Sequence, residues 1–232
     1  HARRPCVRWT RGRDPLTPSS QGSPSAGVRA GGGLIAAPQV LRDVVALGLP
    51  GSRLSLERCR SITSEVVYAA AAHRVQGLLW DAIESGDFSC PEDVMAIASD
   101  AYVAGLRSCL AVEELAVGAL DALESAGVSA RVLKGVAIAH LDHDDPARRI
   151  FGDIDLLVRA DQHRAAMRAL GDCGLSRVTP PVRLWWERRF GKAVVFRSVS
   201  GGELDLHLRL TGGYFGERLD HGLLWGDAGE PF

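Results

Sequence analysis

The segment Phe151-Gly152-Asp153-Ile154-Asp155-Leu156-Leu157-Val158 constrains this chain more than any other, because it places two carboxylates one residue apart in an otherwise apolar, β-type run. Alternate side chains of a strand share a face, so Asp153 and Asp155 point the same way, a short distance apart. Two close anions in apolar surroundings require a cation. A hard divalent ion such as Mg²⁺, held jointly by carboxylates and substrate phosphates, meets that need. An isolated pair of this kind also suits a strand end whose acids face water, so the neighbouring motifs carry the decision.

Upstream, Arg131-Val132-Leu133-Lys134-Gly135 runs from a short apolar strand into a helix-forming stretch, Val136 to His140. A glycine at such a junction lets backbone N–H groups approach a phosphate, and the first helical turn adds free donors at a positive dipole end. Lys134 would contribute a point charge to the same anion. Of the 27 Lys and Arg residues only Lys134 and Lys192 are lysines, so a lysine stands out here. Downstream, Lys192 to Ser198 and Glu203 to Leu210 flank Ser200-Gly201-Gly202, a hairpin signal. In the second arm Leu204, Leu206, Leu208 and Leu210 alternate with Glu203, Asp205, His207 and Arg209. Placed antiparallel beside the Asp153/Asp155 strand, it would bring Asp205 as a third carboxylate, with His207 on the same face.

Together these pieces resemble the nucleotidyltransferase superfamily of the DNA polymerase β type, and most closely its uncharacterised bacterial branch. The shared features are Leu133-Lys134-Gly135, Arg149, Gly152-Asp153-Ile154-Asp155-Leu156-Leu157-Val158 and Leu204-Asp205-Leu206-His207, over roughly residues 62 to 215. The resemblance implies that Asp153, Asp155 and Asp205 are the catalytic carboxylates and the ligands of two Mg²⁺ ions, with Mn²⁺ as a substitute. It also implies that Lys134, Gly135 and Arg149 hold the nucleotide; Arg148 offers the same chemistry, and the sequence does not separate the two arginines. The implied reaction moves an NMP from an NTP such as ATP to an unidentified acceptor and releases pyrophosphate. Two departures stand beside this: the turn reads Gly135-Val136 where the superfamily has Gly-Gly or Gly-Ser, and the loop Asp142 to Ala147 is longer. A toxin-like enzyme modifying tRNA or a protein, and a non-catalytic nucleotide- or peptide-binding domain of a biosynthetic cluster, are the alternative readings.

The expected fold is α+β: a helical N-terminal layer followed by a small mixed-sheet, polymerase β-like core. Residues 1–33 are rich in Arg, Ser, Pro and Gly and lack an initiating Met, which predicts a disordered segment and suggests a fragmentary gene model. Residues 34–127 form the helical region. Short helices are expected over Val40 to Leu49 and Leu54 to Arg60, a further one over Ile62 to Ser85, and a long one from Pro91 to Ser125 closed by Gly127. His73 is expected to pack or cap. Residues 128–232 form the core, expected to be cut short at its C-terminus because relatives run on past the Asp-Leu-His strand. There, Ala160 to Leu170 reads as a helix, and Trp185-Trp186 as a cap on the sheet edge.

Composition excludes more than it selects. A net charge of −1 leaves no overall basic footprint for nucleic acid. Five scattered cysteines without C-x-x-C spacing indicate neither a disulfide framework nor a zinc site, which fits a reducing cytoplasm. No apolar run has the length of a membrane span, so a cytoplasmic enzyme is expected; the sequence does not specify its oligomeric state.

Overall fold

The computed structural model describes residues 38–47, 61–180 and 182–212, together with Gly216 and Trp225. The expected disordered segment 1–33 and the helix over Leu54 to Arg60 lie outside the described residues. In chain order the elements are α1 (Gln39–Val45), α2 (Ser64–Ala72), α3 (Gln76–Glu84), α4 (Glu92–Ser125), β1 (Ala130–Leu133), α5 (Lys134–Leu141), β2 (Asp153–Val158), α6 (His163–Asp172), β3 (Ser176–Arg177), α7 (Leu184–Phe190), β4 (Ala193–Arg197) and β5 (Glu203–His207). This is an α+β architecture, with the strands in one mixed sheet of order β1-β2-β5-β4-β3. No helix among the described residues is long and apolar enough to cross a membrane.

One helix serves two cores. Helix α4 spans 34 residues, about 51 Å at 1.5 Å per residue; Pro91 precedes it as N-cap, Glu92 and Asp93 sit in its first turn, and Gly127 follows it at φ +69°. Such a proline and such acids suit a helix start, and a left-handed glycine suits a stop. Its first half gives Val94 and Ala98 to a cluster with Leu41, Ile62, Val67, Leu79 and Ile83 of the helical layer. Its second half gives Cys109, Val112, Ala116, Ala119 and Leu123 to the sheet core.

The sheet keeps its two faces distinct. Even-numbered residues Ile154, Leu156 and Val158 of β2, Leu204 and Leu206 of β5, and Val194 and Phe196 of β4 join the cluster that includes α4 and α6. Burial of each large aliphatic side chain contributes about 1.5–3 kcal/mol. The odd-numbered residues, among them Asp153, Asp155, Asp205 and His207, therefore share the opposite face.

Three sequence expectations need correction. Strand β5 pairs parallel, not antiparallel, with β2, while β4 and β5 form the expected antiparallel hairpin. The chain between β2 and β5 makes an excursion through α6, β3 and β4, and that returns β5 to the sheet centre in the direction of β2. The helix expected over Ile62 to Ser85 is two helices, broken at His73 to Val75, where Arg74 adopts φ +57° and His73 caps α2. Finally, Trp185 and Trp186 are 60% and 46% exposed and are not a core cap; they lie on a short helix where Trp186 tilts against Phe190 at 5.6 Å.

Two glycines with opposite surroundings test this packing. A Cβ on Gly77 would meet Arg148 O at 2.4 Å and Ala147 O at 2.8 Å, whereas one on Gly118 of α4 would meet nothing within 4 Å. Gly77→Ala should cost about 2 kcal/mol by overpacking, and Gly118→Ala should stabilise by about 0.5–1 kcal/mol through helix propensity. Urea unfolding of both variants checks the two signs.

Candidate functional site

The parallel register aligns Asp155 with Asp205, Asp153 with Glu203 and Leu157 with His207. On the acid-bearing face, Asp155, Asp205 and His207 each offer a ligand atom, and those atoms lie within 4.8 Å of one another. Asp155 sits at the centre. Its side chain is only 4% exposed, and Oδ1 receives both the Lys134 ammonium in a close ion pair and His207 Nε2 at 2.6 Å. His207 is itself buried, and its Nδ1 has no hydrogen-bond partner among the described residues. The Asp205 carboxyl is held above the usual carboxylate range, chiefly by burial; His207 opposes the shift, Asp155 and Asp153 reinforce it, and Lys134 opposes it. That is the pattern of a carboxyl drawn out of water beside two other acids.

Asp153 stands outside this tight cluster. Its side chain is 48% exposed and reaches Arg74 Nη1 at 3.6 Å. The glycine before it now has a physical reason: a Cβ on Gly152 would fall 2.9 Å from Arg74 Cζ, so only glycine lets the guanidinium lie against the strand here. Glu203, aligned with Asp153, is engaged by Arg197.

The Lys134-Gly135 turn forms as expected between β1 and α5. Lys134, not Gly135, carries the positive φ, +50°, a conformation that is strained for a side chain with a Cβ and is typical of functional turns. Gly135 is needed for closeness: a Cβ there would lie 2.8 Å from Phe151 Cβ. The turn is thereby clamped against the residue two before Asp153.

The two arginines also part. Arg148 reaches Asp81 of α3 at 2.8 Å, whereas Arg149 has its Nε buried without a partner among the described residues. A buried guanidinium nitrogen left unsatisfied suits an incoming anion better than one already paired.

Sequence reasoning missed Arg74 and underrated His207. Arg74 sits in a run whose apolar spacing reads as one continuous helix; the available signal was Gly77, a poor helix-interior residue just after it. His207 reads from sequence as a residue that orders the carboxylate strand, and its bond to Asp155 fits that reading. Its unpartnered second nitrogen has no sequence signature at all.

The donor set, two carboxylates and one imidazole nitrogen within 4.8 Å of one another, fits a divalent cation. Comparison with curated proteins gives no match, and comparison with solved structures gives none either. A protein-family model for an uncharacterised nucleotidyltransferase matches residues 63–230. That stretch covers well over half of the chain, from the start of α2 past β5, and contains every residue of the acidic cluster together with the Lys134 turn and Arg149. The chain belongs to this uncharacterised nucleotidyltransferase family.

Proposed function

We propose that this protein transfers an NMP from an NTP to an acceptor and releases pyrophosphate. The observation that carries the reading is the in-register alignment of Asp155 with Asp205 across a parallel strand pair, in a chain of nucleotidyltransferase family. Asp155 and Asp205 hold the cation, His207 contributes a ring nitrogen or fixes the Asp155 rotamer, and Asp153 adds the third carboxylate from the open side. Mg²⁺ bound there, or Mn²⁺ in its place, supplies charge neutralisation and polarises phosphate and attacking oxygens; three carboxylates carry enough charge for two ions.

The remaining work is positioning, as phosphoryl-group chemistry requires. Lys134, on a strained turn and exposed over half of its side chain, pairs with the triphosphate. Gly135 keeps the first turn of α5 close to the acidic strand, and the Arg149 guanidinium clamps a phosphate. No side-chain nucleophile is needed. His207 holds its Nε2 proton on Asp155 and so orients that carboxylate for binding.

The test incubates the protein with each labelled NTP, Mg²⁺ and a cell extract, and identifies the labelled product by mass spectrometry. Asp153→Asn, Asp155→Asn and Asp205→Asn should each lower labelling by at least about 100-fold; wild-type labelling in any of them removes that residue from the chemistry.

Asp205→Asn has a second expected effect, of opposite sign. A raised carboxyl pKa contributes stability at low pH that is lost as pH rises through the folded value. With EDTA present, Asp205→Asn should therefore melt higher than wild type near neutrality. The difference should vanish below the carboxylate range, and added Mg²⁺ should stabilise wild type only. Calorimetry across pH reads all three.

Lys134→Ala separates the cation from the nucleotide. Removing an ammonium that competes for Asp155 should tighten Mn²⁺ binding, while the KM for NTP should rise about tenfold, the loss of roughly 1.4 kcal/mol of phosphate pairing. Mn²⁺ titration by electron paramagnetic resonance and NTP kinetics check the two directions; equal weakening of both contradicts the assignment.

A further inference from the structure

A second cavity opens beside the acidic cluster. About 430 Å³ in volume, it runs between the α2–α3 corner, the middle of α4 and the approach to β2, where Arg74, Gln76, Gly105, Ser108 and Gly152 line it. That is within the range of small-molecule sites. Arg74 links it to the chemistry: the same guanidinium lines the cavity and contacts Asp153 at 3.6 Å.

Gln76 is the anomaly in this cavity. The residue is only 7% exposed, and its amide oxygen is buried with no hydrogen-bond partner among the described residues. Its amide nitrogen abuts Gly105, where a Cβ would lie 2.6 Å away, so glycine at that point on α4 makes room for the amide. An unsatisfied buried carbonyl costs about 1–3 kcal/mol, an expense that a purely structural position would avoid with leucine or methionine.

We infer that this cavity is the acceptor pocket and that it takes a compact, hydroxyl-rich molecule of the sugar or polyol class, read by Gln76. A hydroxyl both donates and accepts, so it satisfies the terminal amide in either orientation, and a half-turn about the last side-chain bond exchanges nitrogen for oxygen at the cavity wall. Arg74 at the mouth disfavours an ammonium-bearing ligand and leaves neutral or anionic ones. The Ser108 hydroxyl adds a second two-way partner. The link from a hydroxyl held here to the cluster is Arg74, which lines the cavity and reaches Asp153.

The occupant's role as acceptor rests on the nucleotidyl-transfer reading; occupancy of the cavity does not, and the two are measured separately on the same ¹⁵N-labelled full-length protein. The Gln76 side-chain amide, assigned by its absence in Gln76→Met, is followed by NMR during titration with D-glucose, D-ribose, myo-inositol and glycerol. At least one should move the Gln76 side-chain amide and the Gly105 backbone amide together and saturably. Binding followed at Gly105 should weaken about tenfold in Gln76→Met and vanish in Ala104→Trp, which plugs the cavity from an exposed position of α4. The inference is overturned if none of the four moves these amides, or if the shifts persist in Ala104→Trp. A parallel Mn²⁺ titration reports on the acidic cluster: loss of Mn²⁺ binding with sugar binding intact defeats the catalytic reading and leaves the pocket standing, and the converse defeats the pocket alone.

Discussion

A carboxylate withdrawn from water must be matched by charge and hydrogen bonds, because an unpaired buried anion costs several kcal/mol. Asp155 is that group in this protein. Its Oδ1 is held by Lys134 from the β1–α5 turn and by His207 from the end of β5, so one oxygen ties together three separate stretches of chain. The left-handed backbone of Lys134, the contact of Gly135 with Phe151 and the parallel pairing of β2 with β5 all serve to bring those stretches to one point. Asp205, aligned beside Asp155, has no such partners among the described residues, and burial, with Asp155 and Asp153 nearby, holds its carboxyl above the usual carboxylate range against the pull of His207 and Lys134. In the proposed mechanism Lys134 balances the charge of Asp155 in the free protein and would turn to the triphosphate when nucleotide binds.

The rest of the fold holds this arrangement rigid. Helix α4 runs from the helical layer to the back of the sheet, so the cleft containing Arg74 and Gln76 and the acid-bearing strand are referenced to one element. Alternation in β2, β4 and β5 commits their even-numbered side chains to the shared core and puts Asp153, Asp155, Asp205 and His207 on the other face. A one-residue slip of β5 would turn Asp205 into the core and Leu204 or Leu206 out of it, so the hydrophobic register also fixes the site.

Much of this was legible in the chain because it depends on local pattern. The β-type run around Asp153 and Asp155, the Ser200-Gly201-Gly202 hairpin, the Lys134-Gly135 junction and the proline and glycine that bound α4 each follow from short-range preferences. The direction of β5 was not legible, because strand polarity depends on the route between β2 and β5, which no residue of either strand encodes. The break at Arg74 was hidden in a run whose apolar spacing is helical on both sides. The exposure of Trp185 and Trp186 was misread because a tryptophan pair carries no information about which side of a short helix faces the sheet. The orphaned amide of Gln76 and the unpartnered nitrogens of His207 and Arg149 are tertiary facts, visible only when the surrounding atoms are in place.

The central claim is that Asp155 and Asp205 share a divalent cation. Anomalous diffraction from crystals soaked in Mn²⁺ tests it most directly, since the ion's position is read without reference to activity. The account requires an anomalous peak within about 2.2 Å of a carboxylate oxygen from each of Asp155 and Asp205, with Lys134 displaced from Oδ1. Saturating Mn²⁺ that leaves the Lys134–Asp155 pair intact, with no peak between the two carboxylates, would contradict it.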